Sequence, residues 1–294
     1  MDENNPWDFS PQPSTEPVPP TGIMNPALSE TTAGPDVPAP VGKQQYSRVR
    51  WILIILVGAF VIAGLGIAVY YFAQDEIRSV SVVRMEGTMV TGNYADDEVI
   101  GSEVVGRELR EAADDPMVEA IVLRVNSPGG TPAAAQEIIG DLTYAKSKKP
   151  VLVSMGDSAT SAAYMVSAHA DRIYANPDTF TAGIGVIWTF SDISRWMESE
   201  GYNVSVIKSG SKKDMGSTAR PLTADEQAYA EKIVEDSFET LLSDILSQRS
   251  IRREDVEDAR VIRGADAIRM NIVDELGNLN DAIDGAKRMA SSRR

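Results

Sequence analysis

The apolar positions of the chain fall into two regimes. Residues 51–72, WILIILVGAFVIAGLGIAVYYF, carry no charge, and as a helix they reach about 33 Å at about 1.5 Å per residue, enough to cross a bilayer. Trp51 at one end and Tyr70 with Tyr71 at the other suit the two interfacial belts. From about residue 77 the apolar runs are short and alternate with helical patterns, as in parallel-sheet α/β domains. SVSVVRMEG (79–87) predicts a strand, residues 100–113 a helix, and AIVLRVN (120–126) a strand buried on both faces. NSPGG ends that strand, and Thr131 with Pro132 supplies the N-cap and first turn of a helix running towards Lys146. The unit then repeats, with PVLVSMG (150–156) as a strand, 161–169 as a helix, and RIYANP and AGIGVIW as strands. A helix around 189–200 and a strand at NVSVIKSG follow. Thr223 with Glu226 forms a capping box for a long helix reaching roughly Arg249.

Composition changes this picture at the start of the chain. Residues 1–42 hold ten of the sixteen prolines, six acids and no lysine or arginine, and no apolar run there is long enough to offset ordering entropy. Residues 1–50 therefore read as a disordered tail whose basic end, Lys43, Arg48 and Arg50, abuts the apolar span. An uncleaved anchor fits better than a cleaved signal peptide, because a long tail precedes the span and the span exceeds the usual apolar region of a leader. Basic residues before it outnumber those just after it, where Asp75 and Glu76 sit beside Arg78. The tail is thus expected in the cytoplasm and the globular part on the outer face.

Charge and rare residues exclude several chemistries. With 43 acids against 28 bases the formal charge is −15, which repels phosphate backbones, so nucleic acid is not an expected partner. The absence of cysteine removes disulfides, thiolate metal sites and cysteine nucleophiles. A single histidine, His169, rules out a centre of several imidazoles. Carboxylate-only Mg²⁺ or Ca²⁺ sites survive that argument.

Two β-to-α turns are rich in small residues, NSPGG and GDSATSAA, and such turns sit at the carboxyl ends of strands, where open α/β sheets bind ligands. Gly129 and Gly130 can turn backbone N–H groups towards a cavity without a Cβ in the way. Ser158 and Ser161 stand where an acyl-transfer nucleophile would, although Thr160 occupies the closing position of a G-x-S-x-G elbow. His169 lies eight residues after Ser161, about 12 Å along a helix, too far to serve as its base within one chain. A lysine or carboxylate remains, and a lysine works only when desolvation favours its neutral amine. Lys208, Lys212 and Lys213 in KSGSKKD are the candidates.

The succession NSPGG, MGDSATSAAYMVSAHADRIYANPDTFTAGIGVI, IKSGSKKDMGS and ARVIRGADAIRMNIVDELG, over residues 78–290, resembles the signal peptide peptidase A family of membrane serine peptidases. That resemblance implies a ClpP/crotonase-like α/β domain over about 77–290, following a transmembrane helix at 51–72 and the tail. It implies a Ser/Lys dyad of Ser161 and Lys213, Gly129 and Gly130 as the oxyanion loop, and no metal or organic cofactor. It further implies peptide substrates such as signal-peptide remnants, and a homo-oligomer in which neighbours can complete one another's sites, with the dyad either shared between chains or held within one. Ala162 and Ala163 replace the family's usual glycine pair, and Gly183 stands where serine is usual, so a narrower pocket favouring small P1 side chains is expected. The rival readings are a crotonase-like acyl-CoA enzyme and a catalytically inactive membrane scaffold. The anchor and the KSGSKKD lysines disfavour the first, and the Ala-Ala departure motivates the second.

Overall fold

The computed structural model describes residues 43–77 and 79–293, and the disorder predicted for residues 1–42 lies outside them. The apolar run forms part of one helix, α1 (Lys43–Ile77), which also takes in the basic segment ahead of it. Within α1, the 20 residues Arg50–Val69 are long and apolar enough to cross a membrane. Phe60 and Ile62 are exposed, and the helix is apolar on every side, which suits a single-pass anchor better than a helix resting one face on a core.

The globular part begins with β1 (Ser79–Glu86), followed by β2 (Thr88–Val90) and β3 (Val99–Gly101), which form a small parallel pair of their own. Next come α2 (Ser102–Asp114), β4 (Val118–Ser127), α3 (Pro132–Lys148), β5 (Val151–Thr160), α4 (Ala162–Ala168) and β6 (Arg172–Ala175). The remaining elements are β7 (Phe180–Ala182), α5 (Ser194–Ser199), α6 (Ala224–Gln248), β8 (Val261–Arg263), α7 (Gly264–Ala267), β9 (Glu275–Leu276) and α8 (Leu279–Ser292). The main sheet runs β1-β4-β5-β6-β9 with every neighbour parallel, while β7 pairs with β5 and, antiparallel, with β8.

Side chains alternate across a strand, so the central strands feed two cores. Ile121, Leu123 and Val125 of β4 and Val153 and Met155 of β5 join the larger core beneath α2, α3, α4 and α6. Ala120, Val122 and Leu152 point the other way, onto Ala282 and Ala286 of α8. Burial on both faces is why β4 reads as an almost unbroken apolar run. Both predicted caps are present: the Thr131 side chain accepts from Ala134 N–H at the start of α3, and Thr223 with Glu226 closes a full capping box on α6.

Three segments differ from the sequence reading. β5 does not stop at Gly156 but continues through the presumed turn to Thr160, exchanging β6 for β7 as its neighbour on the way. The pairing with β4 slips between Val125 and Ser127, and Asn126 fills the gap, its Oδ1 accepting from the N–H groups of Asp157 at 3.0 Å and Ser158 at 3.2 Å. A Cβ at Gly156 would come within 2.9 Å of that same oxygen. By contrast, AGIGVIW adds only its first residue, Ala182, to the end of the short β7, and NVSVIKSG forms no strand. Both segments are apolar and extended in pattern, yet a strand needs a hydrogen-bonded neighbour, and beyond Gly183, whose N–H donates to Arg260 C=O, the described residues pair neither of them.

Candidate active site

Ser161 sits between the end of β5 and the first turn of α4, with φ 56° and ψ −127°. A non-glycine residue rarely adopts this backbone, at a cost on the order of 1–3 kcal/mol. The surrounding hydrogen bonds hold it there: Ser161 N–H donates to Ala182 C=O at 2.7 Å, and Ser161 C=O accepts from Met165 N–H at 3.0 Å. Gly129, itself at φ +107°, lies directly against it, and a Cβ there would approach Ser161 Cβ to 2.9 Å.

The glycine loop is held against β2. Met89 N–H donates to Gly129 C=O and Thr131 N–H donates to Met89 C=O, both at 2.9 Å. Groups on an extended segment alternate in direction, so Gly130 N–H turns away from Met89, and it donates to no acceptor among the described residues. Gly129 N–H, in contrast, donates to Ser127 Oγ at 3.1 Å. The two glycines therefore differ. Gly130 offers an unused donor, whereas Gly129 makes room for the serine.

Ser161 and Gly130 line one cavity of about 350 Å³, with Ala162 and Met165 of α4, Gly185–Ile187, and Asp236, Ser237, Thr240 and Leu241 of α6. The Ser161 hydroxyl has no hydrogen-bond partner among the described residues. Ser158 does not line the cavity and lies 3.4 Å from Thr160 Oγ1. His169 caps the far end of α4, and its Nε2 lies 2.9 Å from Asp244 Oδ2 on α6, so it ties two cavity-lining helices together and does not face Ser161.

The structure separates the three lysines by their partners. Lys208 forms an ion pair with Asp214, and Lys212 with Asp225. Lys213 is exposed and its amine has no partner among the described residues. It does not line the Ser161 cavity. Its segment is fastened to the start of α6, since Arg220 bridges Asp214 and Glu226. Glu226 lies ten residues before the first cavity-lining residue of that helix, Asp236, about 15 Å along the axis. Gly129, Gly130 and Ser161 are thus brought together, whereas Lys213 does not line their cavity.

Arg220, with help from Lys208, holds the Asp214 carboxyl well below its ordinary range, and Arg220 with the Thr223 N–H lowers Glu226 to about 2. Because these carboxyls are more acidic when folded, their contribution is complete above the unfolded value of 4.5 for Glu226 and is lost as pH falls towards about 2. Limited proteolysis should accordingly find residues 208–223 protected at neutral pH and released in that acid window. Equal cleavage at pH 7 and pH 3 would contradict the coupling.

Against known proteins, residues 143–293 match the model of peptidase family S49, a segment that contains both Ser161 and Lys213. The chain belongs to peptidase family S49. It is 34% identical over 221 residues to Protease 4 of Haemophilus influenzae, covering 73% of this chain and 35% of that protein. It is 30% identical over 187 residues to a putative signal peptide peptidase SppA of Enterococcus faecium, covering 62% and 54%. A chloroplastic serine protease SPPA of Arabidopsis thaliana is 28% identical over 215 residues, covering 72% and 31%. The match therefore spans about a third to about half of the length of these relatives. Signal peptide peptidase A membership and the ClpP-like α/β fold expected from the sequence motifs both stand.

Of the two alanines that depart from the family's glycine pair, only Ala162 lines the cavity, while Ala163 is fully buried and does not. Sequence reasoning did not anticipate the wall supplied by Gly185–Ile187 and α6. Met165, four residues after Ser161, was within reach of it, because residues four apart share a helix face. The α6 residues lie far away in the chain, and only tertiary packing brings them to the serine.

Proposed function

We propose that this S49 member is a membrane-anchored serine endopeptidase in which Ser161 is the nucleophile and Lys213 its base. The observation that carries the reading is Ser161 itself, held in a strained backbone conformation with a free hydroxyl, on one cavity with the unused Gly130 N–H. Neutral Lys213 accepts the hydroxyl proton as Ser161 Oγ bonds to the peptide carbonyl carbon, and the oxyanion is stabilised by Gly130 N–H. Gly129 serves the same loop by leaving the serine room. As the C–N bond breaks, the lysine returns its proton to the leaving amine. It then takes a proton from the water that hydrolyses the acyl-enzyme, and Ser161 is restored. No step calls on a metal or organic cofactor.

The lysine in this reading comes from a neighbouring copy of the chain. Two observations support this: Lys213 lies off the Ser161 cavity, and the chain leading into its segment exposes large apolar side chains. Ile187 is 90% exposed and Ile207 fully so, with Trp188, Trp196, Tyr202 and Val204 also exposed. An apolar patch of this kind marks an interaction surface, and a second copy would cover it while desolvating the amine. The tail is assigned to the cytoplasm and the peptidase domain to the outer face, from the basic flank of the anchor. Substrates are extended apolar peptides released at the membrane, signal-peptide remnants among them.

A fluorophosphonate probe tests the nucleophile. Labelling of Ser161 in the full chain, lost in Ser161→Ala, supports the peptidase, whereas labelling elsewhere or none overturns it. The pocket itself yields a finer expectation. Ala162→Gly should raise turnover of aromatic P1 peptides relative to alanine P1, by about threefold, while Ala163→Gly leaves the ratio unchanged; removing one methyl from a pocket alters discrimination by roughly 1–3 kcal/mol at most. A peptide panel in which both variants, or neither, shift the ratio would contradict that placement.

A further inference from the structure

We propose that Arg220 is a positioning residue for Lys213, fixing the segment that presents the lysine to the start of α6. The inference rests on Lys213 as the base, and deepens that reading.

The Arg220 guanidinium spans two carboxylates. Its Nε and Nη2 donate to Asp214 at 3.0 and 2.8 Å, and its Nη1 and Nη2 donate to Glu226 at 2.7 Å each. Asp214 is the residue next to Lys213. Glu226 is 2% exposed and also accepts from Thr223 N–H at 2.9 Å, as the third residue of the α6 capping box. One end of the bridge is therefore a helix terminus seated in the fold, and the other is the backbone that carries the lysine.

That backbone has no sheet to hold it. Residues 208–217 form a succession of turns, closed by Lys213 N–H to Gly210 C=O, Met215 N–H to Lys212 C=O and Ser217 N–H to Asp214 C=O, at 3.0–3.1 Å. Without Arg220, Glu226 would lose its cation and Asp214 would keep only Lys208, and the turns would be tied to α6 by the more exposed Lys212–Asp225 pair alone. A displacement of about 1 Å in a reacting group can cost about a hundredfold in rate, so a long lysine on a loose loop is a poor base. Lysine cannot replace this arginine, because a single ammonium does not present the planar fork that reaches both carboxylates.

The full chain in detergent tests the proposal on a fluorogenic peptide. Arg220→Ala should lower kcat by about tenfold to a hundredfold and leave KM within about twofold, since Arg220 does not line the cavity. Arg220→Lys should recover little of the loss, and Arg220→Ala with Lys213→Ala should be no slower than Lys213→Ala alone. Asp214→Asn, which spares the Arg220–Glu226 pair and the helix cap, should move kcat in the same direction, and it stands in for Arg220→Ala if that variant fails to fold. If Lys213→Ala is inactive while folded Arg220→Ala and Asp214→Asn keep wild-type kcat, the positioning role is overturned and the dyad survives. A rise in KM with kcat unchanged overturns it as well. Full activity in Lys213→Ala overturns the dyad reading, and the proposal with it.

Discussion

Alanine at Ser161 or at Lys213 is expected to reduce peptide turnover by at least about a thousandfold, with the double variant no slower than either single one. An alcohol without a base is a weak nucleophile, and a base without the alcohol has nothing to activate, so the second deletion removes nothing further. Lys213→Arg should be as inactive as the alanine variant, because a guanidinium stays protonated and has no lone pair to offer. Lys208→Ala and Lys212→Ala should retain substantial activity, since their partners are Asp214 and Asp225. Initial rates on a fluorogenic peptide, with melting temperatures to confirm folding, decide the matter. A folded Lys213→Ala enzyme with normal turnover, beside an inactive Lys208→Ala or Lys212→Ala, would move the base to another lysine.

Mixing two dead proteins should produce a live one. If each site takes its serine from one copy and its lysine from the next, equal amounts of Ser161→Ala and Lys213→Ala chains, exchanged at random, leave about a quarter of the sites with both groups intact, as closed head-to-tail assembly requires. The mixture should then recover roughly a quarter of wild-type activity. A dyad within one chain predicts none, because every chain in the mixture lacks one member. The measurement is made after dissociation and reassociation, with each variant taken alone through the same cycle as a control. Persistent silence in a mixture shown to have exchanged would place the lysine in its own chain's site.

Much of this arrangement was legible in the residues. The order of strands and helices followed from apolar periodicity, and the caps at Thr131 and Thr223 followed from side chains whose hydrogen bonds are local. The small-residue stretches that carry Gly129, Gly130 and Ser161 were legible at the ends of apolar runs, whereas the choice of Ser161 over Ser158 came from the family resemblance and not from local pattern. What escaped the reading depends on distant partners. The segments around 184–190 and 203–208 carry strand-like composition, but composition does not reveal whether a neighbouring strand exists. The continuation of β5 through Asp157 and Ser158 depends on Asn126, a side chain 31 residues away from Asp157, and no local rule contains it. That Lys213 stands off the Ser161 cavity is likewise not written in local pattern, and only the family resemblance hinted at it.

The course of α6 has a consequence for when such an enzyme would be dangerous. One helix carries the lysine segment at its start and walls the serine's cavity at its middle, so in the proposed assembly these two stretches serve different active sites. A newly inserted chain would then be harmless without any inhibitory propeptide, because half of its chemistry is aimed at a neighbour that has not arrived. Proteolytic capacity in the membrane would climb more steeply than the amount of protein made, and dilution alone would turn it off.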